Sequence, residues 1–189
     1  MDAPDYQPVA STTVLLQNNH VGQLNVVHFE SNPDRDVNAN PVAIHILAIA
    51  SPYGHSFSEY IETALRLEFR QAGIYSPQSP TIVSGTLQAN KIAIAPSFWG
   101  LDDDWMASMT VRFVVNRGNQ TVFDKIMTKE HHWRSVQLPK FAFPAAIQGY
   151  LAMVQFLVQE LASDPDFIVA TKTSAAALPN AEKASGGSG

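Results

Sequence analysis

The sequence predicts a single α+β domain over residues 12–170, a two-layer sandwich in which a largely antiparallel sheet carries two helices on one face. Two segments space their apolar residues as a helix does, and one strand alternates strictly between apolar and polar residues. The elements follow the order strand, strand, strand, helix, strand, strand, strand, helix, with no internal repeat. Because the alternating strand has one apolar face, both helices are expected on the same side of the sheet.

Both ends of the first predicted helix are marked in the sequence. Ser56 precedes Glu59 by three residues, the spacing of a capping box, and Gly73 fits the left-handed position after the last turn. One face of this helix is apolar and consists of Phe57, Ile61, Ala64, Leu65, Phe69 and Ala72. A charged row is expected to be solvated and joined by salt bridges; it consists of Glu62, Arg66 and Arg70.

The strands are predicted from short runs of β-branched and apolar residues. Residues 12–18 and 23–30 are expected to form a hairpin, because an Asn- and Gly-containing turn separates them. The nine-residue run VAIHILAIA at 42–50 predicts a strand near the middle of the sheet, covered on both faces. Residues 81–95 predict a long strand in which Gly85 marks a bulge or a close backbone approach.

A β-hairpin and a second helix complete the domain. From Trp105 to Val115 the alternation is strict, and residues 121–133 return as an antiparallel partner after the turn at 116–120. The second helix is expected to begin near Pro144, to bury a broad apolar face and to end at SDPDF.

Composition excludes several classes of protein. Charged residues are 15% of the chain and the net charge is −5, which argues against binding of nucleic acid through phosphates. The chain has no cysteine, so disulfides, thiolate metal sites and cysteine nucleophiles are excluded. No apolar run is long enough to predict a transmembrane helix. Residues 1–11 are expected to form a flexible tether without the features of a signal peptide, and 171–189 a disordered tail.

No catalytic, cofactor-binding or metal-binding residue is predicted. Neighbouring His131 and His132 would point to opposite faces of a strand, so they cannot readily share a metal ion. The acidic run 102–104 lacks the ligand spacing of a calcium loop and is expected to lie in a solvated loop. The segment GHSFS at 54–58 does not match the serine-hydrolase nucleophile motif.

A candidate interaction surface comes from large aromatic and acidic residues in irregular segments. Such residues can anchor a partner, and they can equally pack as a satellite core at the end of the sheet. The residues are Phe98, Trp99, Asp102, Asp103, Asp104, Phe141 and Phe143.

The order and character of segments from FSEYIETALRLEFRQAGIY to FPAAIQGYLAMVQFLVQELASDPDFI resemble a group of Gram-negative envelope lipoproteins. The chain resembles the YajG-type lipoproteins and, more remotely, the LptE-like two-layer α/β modules, over residues 42–170. The resemblance transfers no catalytic residue. It implies a periplasmic protein anchored to the outer membrane, whose leader and lipidated cysteine are absent from this chain.

The expected function is therefore a non-enzymatic periplasmic module of an outer-membrane lipoprotein that contacts another protein or an envelope component. The alternative is a protein that binds a small ligand or lipid in an apolar pocket between sheet and helices. An enzyme with a dispersed site is a third possibility, which a convergent His–carboxylate pair in a cleft would favour.

Overall fold

The computed structural model describes residues 2–32, 42–44, 47–53, 56–96, 102–136 and 139–172. The helices in these ranges are Ala10–Asn18 (α1), Phe57–Gln71 (α2), Pro139–Ser163 (α3) and Pro165–Thr171 (α4). The strands are Asn25–Ser31 (β1), Val42–Ile44 (β2), Leu47–Ile49 (β3), Thr81–Pro96 (β4), Asp102–Arg117 (β5) and Gln120–Val136 (β6).

Four of the strands form a mixed sheet in the order β1-β4-β5-β6. β1 runs parallel to β4, whereas β5 is antiparallel to both β4 and β6. The register places Trp105 of β5 between Ile94 of β4 and Trp133 of β6. The predicted α+β sandwich with a largely antiparallel sheet is confirmed.

One face of the sheet is buried beneath the helices. Along β5 every second residue from Trp105 to Val115 is at most 2% exposed. α2 lies against β1, α3 lies against β5 and β6, and the rings of Phe57 and Tyr150 join the two helices at 5.1 Å. Both helices therefore cover the face that the alternation of β5 predicts.

Gly85 allows β1 and the helices to pack tightly on β4. A Cβ at this position would lie 2.7 Å from the backbone oxygen of Arg112 and would overlap the ring of Phe29. The predicted close backbone approach is confirmed, because the Phe29 ring fills the space that any side chain at Gly85 would need. The register of β1 with β4 is also irregular here, between Val26 and Phe29, the partner of Gly85, and the register of β4 with β5 shifts between Leu87 and Ala89.

α2 begins and ends as the sequence predicts. The Oγ of Ser56 accepts a hydrogen bond from the backbone N–H of Glu59 at 3.0 Å, so the cap is formed. Gly73 has a φ of +74°, and the N–H of Ile74 donates to the oxygen of Phe69 at 2.9 Å. This bond satisfies a carbonyl group of the last turn, as in a Schellman-type helix end.

The charged row on α2 is not simply a solvated face, which corrects the prediction. Glu62 accepts a hydrogen bond from the N–H of Phe29 at 2.9 Å, and Arg66 donates to the oxygen of Val26 at 3.1 Å. Glu62 and Arg66 are also paired at 2.7 Å. The row covers the outer edge of β1, whose backbone groups would otherwise face solvent or another chain.

Two of the predicted strands have a different structure. The prediction of a hairpin over 12–18 and 23–30 is wrong in its first half, because this segment forms α1. Thr12 and Leu16, one helical turn apart, are both fully buried, so packing of one helical face outweighs the β propensity of the segment. Residues 42–50 form two short strands, β2 and β3, which pair with each other rather than extend the main sheet.

The boundaries near one end of the sheet also differ from the prediction. Residues 102–104 open β5 and are not a loop, because each is paired across to β6. α3 begins at Pro139, one turn earlier than expected, and Pro144 lies inside it. Pro139 suits a first helical position, and Pro144 removes a single N–H so close to the start that the helix continues. The helix ends before Asp164 as predicted.

The tail boundaries need correction at both ends. Residues 1–11 are not a flexible tether, because Ala3 and Tyr6 are 3% and 2% exposed and belong to the core. Thr171, expected to begin the C-terminal tail, is buried in α4. Residues 173–189 lie outside the described ranges.

The N-terminal segment is held by a buried carboxyl group on α2. The side chain of Glu68 is fully buried, and its Oε1 accepts hydrogen bonds from the Tyr6 hydroxyl and the Val9 N–H, both at 2.8 Å. Its Oε2 has no hydrogen-bond partner. Nearby, the Tyr60 hydroxyl donates to the oxygen of Pro4 at 2.9 Å. The segment before α1 is thus an integral part of the helical layer.

The environment of Glu68 favours its protonated form. Burial raises the pKa of Glu68, and the bonds from Val9 and Tyr6, which favour the carboxylate, only partly oppose this. Glu68 is not among the residues that the sequence pattern predicted to be important. Its burial was predictable, because Glu68 lies four residues after Ala64 and so falls within the apolar stripe of the helix.

We expect Leu157→Ala to lower the free energy of unfolding by about 2–5 kcal/mol, because Leu157 is fully buried and the change leaves a cavity. The control is Val169→Ala on α4, where the side chain is 71% exposed and the cost should stay within about 0.5 kcal/mol. Urea unfolding measures both. Equal midpoints for wild type and Leu157→Ala would contradict the packing of α3.

We expect stability to depend on the proton of Glu68. Since its folded pKa is raised above the ordinary value of 4.5, its contribution is fully present below that pH and is lost as pH rises through the folded pKa. Wild type should therefore lose stability relative to Glu68→Gln as pH rises above about 4.5. Urea unfolding across this range tests it; a stability difference that does not change with pH would refute the proposed protonation.

Candidate functional site

The face of the sheet opposite the helices is exposed along β5 and β6. We call this surface the open sheet face and define it by the outward residues of these two strands. Those residues are Asp104, Met106, Ser108, Thr110, Arg112 and Val114 of β5, and Asp124, Ile126, Thr128, Glu130, His132 and Arg134 of β6. Each is partly or fully exposed, so no helix of the described chain covers this face.

The centre of the open sheet face is neutral. Thr110 and Thr128 share a hydrogen bond of 2.9 Å across the two strands. Ile126 is 57% exposed, which is high for a large aliphatic side chain in a sheet, and Met106 and Val114 are partly exposed. Hydroxyl, thioether and aliphatic groups thus form a flat surface of moderate polarity.

Both arginines on this face are paired with carboxylates, whereas Glu130 lies 3.9 Å from His132, which is charged only if protonated. Arg112 donates to Asp124 at 2.7 Å, and Arg134 donates to Asp104 at 3.0 Å. The hydrogen bond from Arg112, followed by its charge, lowers the pKa of Asp124, so the pair remains ionised over the neutral range. Because opposite charges lie side by side, this face has no strong potential of either sign.

The structure brings parts of the predicted aromatic and acidic surface to one end of the sheet. Asp104 lies on the open sheet face, whereas Asp103, its neighbour along the strand, points to the other side. Phe143 in α3 is partly buried and packs on the core. Asp102 is the first residue of β5, and Phe141 lies in the first turns of α3. Phe98 and Trp99 lie outside the described ranges.

The same end of the sheet contains a stacked tryptophan pair, of which Trp105 is buried and Trp133 is half-buried. Trp105 and Trp133 stack with ring centroids 6.0 Å apart, and neither indole nitrogen has a hydrogen-bond partner. His131 stacks on Trp133 at 5.6 Å and meets the ring of Phe156 at 5.2 Å. Burial lowers the pKa of His131, which favours a neutral ring packed as an aromatic group. His132 points to the opposite face of the sheet from His131, as predicted.

Clefts at the surface of the described chain include one of about 620 Å³ between β1 and the start of α2, and two of about 420 and 480 Å³ near α4. Polar side chains predominate around the clefts of 620 and 480 Å³. The cleft of about 420 Å³ is lined by Val122, Phe123, Val169 and Ala170 beside three charged side chains. The predicted alternative of an apolar pocket between sheet and helices gains no support from them, because that space is filled by the core side chains.

Two further features limit the chemistry of the described chain. None of its helices combines the length and hydrophobicity needed to cross a bilayer. Within the described ranges, His, Asp and Glu side chains do not gather in threes as metal ligands do.

Sequence comparison gives no assignment: no protein-family model matches the chain, and no curated protein matches it. The fold resembles solved structures. Protein XCC0632 from Xanthomonas campestris, described with the family model DUF330, superposes with a TM-score of 0.57 at 11% identity, covering 85% of this chain and 91% of that one. At this identity the likeness shows a shared fold alone.

Two other structures are more distant. A minor lipoprotein from Acinetobacter baumannii gives a TM-score of 0.41 at 12% identity, covering 75% of this chain and 90% of that one. The hypothetical protein CT253 from Chlamydia trachomatis gives 0.38 at 11% identity, covering 76% and 98%. Neither likeness is close enough to carry an argument. The specific YajG-type or LptE-like assignment stays a resemblance.

Proposed function

We propose that this chain is a non-enzymatic module of the Gram-negative cell envelope that binds another protein through the open sheet face. The observation that carries the proposal is the combination of an uncovered sheet face and paired charges. Protein interfaces that form and dissociate have about the polarity of an ordinary surface and carry few unpaired charges at their centre. The open sheet face has both properties.

The composition of this face favours a protein over other partners. Arg112 and Arg134 are already engaged by carboxylates, so they are poorly placed to neutralise the phosphates of a nucleic acid. The exposed Ile126 supplies an aliphatic anchor, and Thr128, the next outward residue of β6, and Thr110 opposite it supply hydrogen-bonding groups beside it. Such a mixture suits a protein surface of similar polarity.

The periplasmic location and the outer-membrane anchor belong to the same proposal. They rest on the resemblance of the segments from 42 to 170 to envelope lipoproteins. The lipid anchor would precede this chain. The predicted aromatic and acidic residues enter the proposal through Asp104, which extends the open sheet face to the end of the sheet where β5 begins.

A photo-crosslinking experiment tests the proposed surface. A benzophenone amino acid placed at Ile126 should crosslink to an envelope protein in living cells, because that side chain stands on the open sheet face. The same residue at Val169, which is 71% exposed on α4, is the matched control and should give no such product. No adduct from position 126, or the same adducts from both positions, would contradict the proposal.

A further inference from the structure

The groove of about 620 Å³ between β1 and the start of α2 lies apart from the open sheet face. Its floor includes Phe29, and its walls include Tyr53 and the hydroxyl groups of Ser31, Ser56 and Thr63. The groove is larger than a single amine or water site requires. It can accept several residues of another chain.

The charges along this groove are unbalanced. Glu30, Glu59 and Glu62 line it, and among the described lining residues Arg66 is the permanent cation. Three carboxylates beside one guanidinium leave two negative charges when His28 is neutral. The imidazole of His28 lies 3.5 Å from Glu30 and adds a positive charge only when protonated.

Arg66 is not available to balance the other carboxylates. It is paired with Glu62 at 2.7 Å, and it also donates to the backbone oxygen of Val26 at 3.1 Å. Glu62 in turn accepts from the N–H of Phe29. The Glu62–Arg66 pair is thus engaged with the backbone at the edge of β1. The excess negative charge of the groove is therefore that of Glu30 and Glu59.

Glu30 and Glu59 are placed to meet a ligand. The side chain of Glu30 is 66% exposed at the end of β1, and Glu59 is exposed in the first turn of α2, on the opposite wall. The half-buried ring of Tyr53 lies in the same groove, and its position is fixed because its hydroxyl accepts the N–H of Tyr6 at 3.1 Å. Carboxylates beside an aromatic ring are suited to guanidinium and ammonium groups.

We propose that this groove binds an extended, arginine- or lysine-containing segment of a partner protein. Charge complementarity selects a basic occupant, and the volume of about 620 Å³ has room for several residues of a peptide rather than a single amine. The Glu62–Arg66 pair blocks pairing of that segment with β1 as an added strand next to Phe29. Recognition therefore comes from side chains entering between Glu30 and Glu59. This site is independent of the open sheet face.

The test uses the full chain and the peptide acetyl-Gly-Arg-Gly-Arg-Gly-amide, followed by backbone amide NMR shifts. Wild type should show shifts at Phe29, Glu30 and Ser31, and Glu30→Gln with Glu59→Gln should weaken binding about tenfold through loss of two ion pairs. The control is Glu160→Gln with Asp166→Asn, which makes the same change in net charge on α3 and α4 and should leave the affinity within about twofold.

Each other outcome overturns the inference. Equal weakening in both double variants would mean attraction to the net charge alone. If wild type shows no shifts, or binds the corresponding glutamate peptide more strongly, the groove does not bind a basic segment. Spermidine binding as tightly as the peptide at the same amides would make the occupant a small polyamine. None of these results would bear on crosslinking from Ile126, which tests the open sheet face.

Discussion

The architecture follows from a single constraint, which is that β5 can bury one of its two faces. The inward residues from Trp105 to Val115 are all apolar, and the outward ones include Ser108, Thr110 and Arg112. Burying the apolar face requires a layer of helices on one side, and α2 and α3 supply it. Within the described part of the chain, no second layer covers the outward residues. The same alternation that builds the core leaves the surface that we propose for binding.

The helical layer depends in turn on a buried polar group. Glu68 joins the segment before α1 to α2, and the contacts of Tyr6 and Tyr60 extend that connection. A buried carboxyl group without hydrogen-bond partners is costly, and the two hydrogen bonds that Glu68 accepts reduce that cost. The structure thus ties the N-terminal segment into the core.

Features set by neighbouring residues could be predicted from the sequence. The cap at Ser56, the end at Gly73 and the alternation of β5 are local, and each is found as predicted. Features set by distant contacts could not. Thr12 and Leu16 form a helix because that face meets α2 and α3, and β2 pairs with β3 instead of the main sheet. Local residue propensities reveal neither the helices that α1 packs against nor the strand with which β2 pairs.

The candidate sites show the same division. Charged residues such as Glu62 and Arg66 were visible in the sequence, but their role at the edge of β1 depends on residues over thirty positions away. The groove between Glu30 and Glu59 likewise joins two separate elements. By contrast, the polar face of the β5–β6 hairpin follows directly from alternation, so the open sheet face was implicit in the predicted fold.

Oxidation of methionine by hydrogen peroxide tests most directly whether the open sheet face is a binding surface. Met106 lies on that face, whereas Met109, Met127 and Met153 are buried in the core. In the purified chain Met106 should oxidise several-fold faster than the other three. In intact cells the oxidation rate of Met106 should fall towards the rates of the three buried methionines, because a partner covers the Met106 side chain. An unchanged rate for Met106 in cells, or equal rates for all four in the purified chain, would contradict the account.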